Sequence, residues 1–255
     1  MNETMPSLFV SHGNPMLAFD KESGLEYQGW GERLPKPKAL LIFSAHWEEP
    51  ELVFGETTRH DKLIYDFYGF PDELYQLQYP APGAEWLLEE VCQVLHKNIA
   101  QVDRGLDHGV WVPLLYMWPK ADVPILQMSL PRGYSNQQLY ELGRQLASLR
   151  QQGVMIIGAG TLSHNLREGL SRRYTETPEW ALSFDNWIEQ TLANDREQLL
   201  DWENNAPEAR RNHPTAEHFS PLLITVGAAR KNEIATYPLS GFDMAVFSKR
   251  SVQFG

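Results

Sequence analysis

Four short runs constrain the fold of this chain more than any other feature: SLFVS, KALLIFSA, VPILQMS and GVMIIGAG. Each is apolar at successive positions, so both faces of an extended segment would be apolar. That pattern belongs to strands buried on both sides, as in parallel sheets covered by helices. Helix-period segments stand between them. KESGLEYQGWGERL follows the first run. EWLLEEVCQVLHKN places Leu87, Leu88, Val91 and Leu95 on one face, behind a Pro-Gly-Ala entry and with Glu85 in its first turn. NQQLYELGRQLASLR ends at the glycine of QQGVMIIGAG. PEWALSFDNWIEQTLANDREQLLDW reads as one long amphipathic helix, and PTAEHFSPLLITVGAA as a cap, a turn and a helix. ELVFGETT is expected to pair beside KALLIFSA, and EIATYP and MAVFSKRSVQF to close the sheet. The alternation predicts an α/β fold: a single three-layer α/β/α domain over residues 1–255, built on a central, mostly parallel mixed sheet.

Composition narrows the setting. The one cysteine, Cys92, can form no internal disulfide, so the core must carry the stability. A cytoplasmic, reducing location suits such a chain. MNETMPSLFVSHG lacks the basic region and apolar stretch of a signal peptide, and no run approaches the ~20 apolar residues of a spanning helix. The formal net charge of -11 opposes binding to nucleic acid or an anionic membrane, where contacts to phosphate dominate affinity.

The chemistry is expected in the histidines. There are eight, and His60, His96 and His213 lie in polar or helical surroundings that suit structural or surface roles. His12, His46 and His164 each stand just past a predicted strand, where ligands of open α/β sheets bind. His108 in DHGVWVPL and His218 in AEHFSPL have equally unusual settings. Any one of the five reads as well as a side chain bonded to a loop carbonyl. Together they point to a metal, because neutral imidazole is a common ligand at physiological pH. Three or four imidazoles without cysteine suit zinc or non-haem iron better than magnesium. Other chemistries lack their motifs. GAGTLSH has no GxSxG elbow for Ser163, Ser44 has no evident partner set, and GAG lacks the third glycine of a dinucleotide site. Asn14 and Asn165, each within two residues of a site histidine, are expected to hold bonds around the cluster. YDFYGFP, Tyr65 to Pro71, is either a clamp for a flat ring or a loop packed on the core by its own aromatics.

Seven blocks carry a resemblance. SHGNPM, PKALLIFSAHWE, IYDFYGFPDELYQLQYPAPG, GLDHGVWVPLLYMWP, ADVPILQMSL, GAGTLSHNL and PTAEHFSPLL stand in one order over nearly the whole chain. The sequence resembles the class III, LigB-like extradiol ring-cleaving dioxygenases, and more narrowly their DOPA 4,5-dioxygenase branch. The resemblance implies one divalent metal per chain held by His12, His46 and His218. Better-known members have a glutamate at the third position, so Glu217 stands as the alternative to His218. It gives His164 two roles, the active-site base or a fourth metal ligand, and makes His108 a proton donor or substrate contact. It implies a small-molecule catechol and O2 as partners. Fe(II) is expected for the oxygenase reaction, because it passes electron density from catecholate to O2. Zinc is expected in isolated protein, and would be inert because it has no redox chemistry. In this reading His164 has an ordinary pKa and takes the second catechol proton, His108 acts as acid, and the product is a semialdehyde. Two other readings remain open: a zinc hydrolase using the same cluster to acidify water, and an inactive binding or adaptor protein of the same fold.

Overall fold

The computed structural model describes residues 4–255. Four parallel strands form its centre: β1 (Ser7–Ser11), β2 (Ala39–Glu49), β5 (Ile125–Pro131) and β6 (Val154–Gly160). Between β2 and β5 lie two short strands, β3 (Val53–Phe54) and β4 (Ala100–Gln101), and after β6 come β7 (Ala235–Thr236), β8 (Phe242–Asp243), β9 (Phe247–Ser248) and β10 (Val252–Phe254). The main sheet runs β4-β3-β5-β2-β6-β1-β10-β7, while β8 and β9 form a separate hairpin. The pairings β1–β6, β6–β2 and β2–β5 are parallel, and β10 and β3 join this core antiparallel.

The alternation of side chains along each strand makes the layers. Leu8 and Val10, Leu40 and Ile42, Met155 and Ile157 face one side. There they pack against α1 (Lys21–Arg33) through Tyr27 and Trp30, and against the apolar helix that begins at His108. Phe9, Leu41, Phe43 and Ile156 face the other side, under Leu87, Leu142, Phe184 and Leu223. Those four residues come from α2 (Glu85–Leu95), α4 (Asn136–Leu146), α6 (Glu179–Asn194) and α9 (Ser220–Ala228). Burial of each such aliphatic contributes about 1.5–3 kcal/mol. The result is the expected three-layer α/β/α arrangement. The remaining helices are α3 (His108–Met117), α5 (Leu166–Leu170), α7 (Trp202–Asn205) and α8 (Ala209–Asn212). Among the described residues, no helix is long and apolar enough to cross a membrane.

Several expectations need correction. ELVFGETT supplies only β3, which pairs with β5 and β4 and not beside β2. The long helix after Pro178 stops at Asn194: Asp195 turns extended and its carboxylate accepts from the Glu197 backbone, opening a separate 3-10 turn. Asp competes with helical backbone in this way wherever its side chain can cap the next turn. MAVFSKRSVQF is not one strand. Met244 and Ala245 take left-handed backbone angles, so β8 and β9 fold on each other, and only Val252–Phe254 joins the main sheet. α3 is a helix that periodicity does not announce, because Val110, Trp111, Val112 and Leu114 are buried all round it.

Candidate metal centre

Because β1, β2 and β6 are adjacent and parallel, their carboxyl ends open on one edge. His12 leaves β1 there, its N–H bonded to Gly160 O at 3.0 Å. The chain then turns at Gly13, whose φ of +68° suits glycine. His46 reaches the same edge differently from the expectation. It lies inside β2, not past its end, in a stretch where the pairing with β5 shifts register between Phe43 and Glu48. Such an irregularity re-aims side chains beside sites. His164 follows β6 in a loop pinned by its N–H to Asn212 O at 2.9 Å. His108 opens α3. His218 precedes α9, and its carbonyl approaches β6 so closely that a Cβ on Gly160 would stand 2.3 Å from it.

All five histidines meet. Ring centroids separate His12 from His46 by 4.9 Å, from His108 by 5.3 Å and from His218 by 5.4 Å. His46 lies 4.1 Å from His108 and 4.9 Å from His218, and His164 stacks on His218 at 3.4 Å. His60 and His213 are buried elsewhere, with Nε2 against Ile125 O and Leu162 O, and His96 ends α2 in a left-handed turn.

Hydrogen bonding decides which nitrogens face inward. His12 Nδ1 lies 2.7 Å from Gly13 O, which can only accept, so Nδ1 carries the proton. His218 Nδ1 lies 3.0 Å from Glu217 Oε1, and His46 Nδ1 lies 3.3 Å from Asp66 Oδ2. His12 and His218 therefore keep an unprotonated Nε2, while at His46 the Asp66 carboxylate stands near Nδ1 at an ion-pair distance. His218 Nε2 is buried and has no hydrogen-bond partner among the described residues. His46 Nε2 stands 3.3 Å from His12 Nε2, and His12 Nε2 has no proton to give. Two nitrogens about 2.1 Å from one ion, at right-angled to tetrahedral spacing, lie about 3.0–3.4 Å apart. Candidate ligand atoms of His12, His46 and His218 all fall within 4.8 Å of one another. Glu217 sits behind His218 and accepts from its Nδ1 and from Thr215 Oγ1.

Electrostatics keep these rings neutral. Burial, then the neighbouring imidazoles, hold His12 and His218 well below the ordinary 6.5. Burial, then His108, brings His46 to about 4. Burial, then His213, brings His164 to about 3, so its pKa is not the ordinary one expected from sequence. Neutral imidazoles are the ligating form.

Two carboxylates escaped the sequence reading. Asp66 contacts His46 and His108, and the buried Asp107 accepts from Ser44 Oγ, Gln127 Nε2 and Arg104 beneath His46. Their only signal was position: Asp66 inside an aromatic loop, Asp107 beside His108. Asn14 and Asn165 hold no imidazole. Asn14 caps the Pro15–Phe19 turn and bonds Asp243, and Asn165 caps α5. The aromatic loop is packed on the protein: Tyr65 on Trp111 and Phe67 on Phe70, with Phe67 also turned to the His108 ring at 5.7 Å.

The family model described as the catalytic LigB subunit of aromatic ring-opening dioxygenase matches residues 7–248. The chain belongs to the LigB family. It is similar to 4,5-DOPA dioxygenase extradiol of Beta vulgaris, at 38% identity over 97% of this chain and 96% of the relative. It is similar also to the Escherichia coli K12 protein of that name, at 35% identity over 98% and 95%. A crystal structure of an uncharacterized Escherichia coli K12 protein matches the fold with a TM-score of 0.84 and 32% identity, covering 98% of this chain and 100% of the other. The LigB chain is accordingly an oxidoreductase of the dioxygenase class.

Proposed function

We propose that this LigB chain is a metal-dependent extradiol dioxygenase that opens the ring of a DOPA-like catechol with O2, in the cytoplasm, with residues 1–255 as one catalytic unit. The relatives' names supply the catechol, and the single Cys92 suits a reducing compartment. The observation that carries the reading is that ligand atoms of His12, His46 and His218 gather within 4.8 Å of one another, with His218 Nε2 buried and unpartnered. That donor set fits a divalent, borderline cation.

His12, His46 and His218 would hold the ion, with Glu217 positioning His218. Bound Fe(II) supplies an electron path between catecholate and O2. The chain's own residues do the rest. His164 is neutral and takes the second catechol proton at a ring nitrogen. Its low pKa is offset when the catecholate charge arrives, since a nearby anion favours the protonated ring. His108 is held by Asp66 through Nδ1, so its Nε2 carries no proton in the neutral ring and would first take one up there before serving as the acid. Phe67, edge-on to His108, offers an apolar wall for a flat ring.

The test is oxygen uptake and yellow colour from DOPA and a catechol panel, under air, with the metal-stripped protein reloaded with Fe(II). Uptake with a semialdehyde product supports the reading. No uptake with any catechol at full iron occupancy refutes it.

A further inference from the structure

Asp66 stands between two imidazoles of different function. Its Oδ1 accepts from the His108 backbone N–H at 3.1 Å and from His108 Nδ1 at 2.9 Å. Its Oδ2 faces His46 Nδ1 at 3.3 Å. The loop that carries it is pinned just before Asp66. Ile64 N–H donates to Leu106 O at 2.8 Å, Trp111 Nε1 donates to Ile64 O at 3.2 Å, and Tyr65 OH donates to Leu77 O at 2.6 Å. These bonds fix the backbone from which the carboxylate reaches His108 and His46.

We propose that Asp66 is a positioning residue that fixes the tautomer of His46, holding the proton on Nδ1 so that Nε2 meets the ion unprotonated. This rests on the metal reading above. The His108 backbone N–H is a donor that cannot change, so an acceptor oxygen must always occupy the Oδ1 position. The second oxygen then stands 3.3 Å from His46 Nδ1, where its negative charge favours the proton on Nδ1 over Nε2.

This makes the nearest-shaped substitution the most damaging one. In Asp66→Asn, the amide oxygen stays on the His108 N–H, because the flipped amide would set one N–H against another. The amide nitrogen then faces His46 Nδ1. Two donors cannot share that contact, so the imidazole proton moves to Nε2, the atom 3.3 Å from His12 Nε2. A protonated Nε2 cannot ligate. Asp66→Ala imposes no tautomer, because water can reach Nδ1 of the half-buried His46 and accept its proton. A packing role for Asp66 gives the opposite order, since Ala leaves a gap and Asn fills it.

The experiment is a Co(II) titration of the metal-stripped full-length protein, followed by its visible ligand-field bands. Wild type, Asp66→Asn, Asp66→Ala and His12→Ala are compared, with circular dichroism melts of each metal-free protein. Asp66→Asn is expected to weaken cobalt binding on the order of 10–100-fold, and more than Asp66→Ala does. Binding by Asp66→Asn within about twofold of wild type overturns the inference, as does weaker binding by Asp66→Ala than by Asp66→Asn. Should Asp66→Asn fail to fold, 15N spectra of histidine-labelled, metal-free wild type decide, with His46 assigned by its loss in His46→Gln. A proton on Nδ1 supports the inference, and a proton on Nε2 overturns it. If wild type binds no cobalt, or His12→Ala binds it equally, the metal reading falls and takes this inference with it. Tight wild-type binding lost in His12→Ala but untouched in Asp66→Asn removes the Asp66 role alone.

Discussion

The imidazole of His164 lies flat on that of His218, with ring centroids 3.4 Å apart and planes within 10°. A ring nitrogen's lone pair lies in its ring plane. An ion held in the plane of His218 would therefore stand well outside the parallel plane of His164. This geometry favours the base role for His164 over a fourth ligand. His164→Ala is expected to keep its metal and lose about 10²–10⁴-fold in kcat. Metal analysis beside oxygen-uptake rates checks this, and loss of the ion would make His164 a ligand.

His12→Ala and His46→Ala should each lower bound metal sharply, because each removes one of three converging nitrogens. His108→Ala should leave metal content unchanged and slow turnover, since His108 stands outside the His12, His46 and His218 group. Elemental analysis of the purified variants separates the two groups. Equal metal in wild type and His12→Ala would refute the ligand assignment.

Zinc and iron should part company in one assay. Zinc-loaded protein is expected to melt at least as high as the metal-free form, because a ligand that binds the folded state stabilises it. It should take up no oxygen, since zinc has no redox chemistry. Iron-loaded protein should consume oxygen and turn catechol yellow. Turnover of an ester or amide with zinc, and no uptake with iron, would support the hydrolase alternative instead.

Acid should unfold the metal-free protein through its buried histidines. His213 and His46 titrate at about 4 in the folded chain, both through burial first. Their unfolded value is near 6.5. Between those values the unfolded state binds protons that the folded state refuses, so stability falls as pH drops from about 6.5 towards 4. For fully buried His213 the loss is on the order of 3 kcal/mol at pH 4. Urea midpoints at pH 7 and pH 5 measure this, and an unchanged midpoint would contradict it.

Gly160→Ala should weaken metal binding although Gly160 touches no imidazole nitrogen. A Cβ there meets the His218 carbonyl at 2.3 Å, and that carbonyl also accepts from Thr161 N–H. Backbone must move, and His218 moves with it. The expected result is lower cobalt affinity and a destabilisation of about 1–3 kcal/mol. Wild-type affinity in Gly160→Ala would show that the start of α9 adapts.

Much of this architecture was legible in the linear chain. Hydrophobic periodicity is local, so SLFVS, KALLIFSA and GVMIIGAG could be read as buried strands, and their parallel order brings strand-end histidines to one edge. The elements that escaped are those in which a local pattern was absent or overridden. α3 is apolar on every side, Asp195 caps a new turn inside an amphipathic run, and His46 sits within a strand whose register slips.

The sequence by itself determined that imidazoles without thiols are the metal-ligating side chains offered to the carboxyl edge. Only the tertiary structure decided which nitrogen of each ring points inward. That choice belongs to acceptors on other elements or in folded turns, Gly13 O, Asp66 and Glu217. Gly13 and Glu217 adjoin their histidines in the chain, yet only the folded backbone turns their oxygens to Nδ1, and Asp66 reaches His46 from a separate loop.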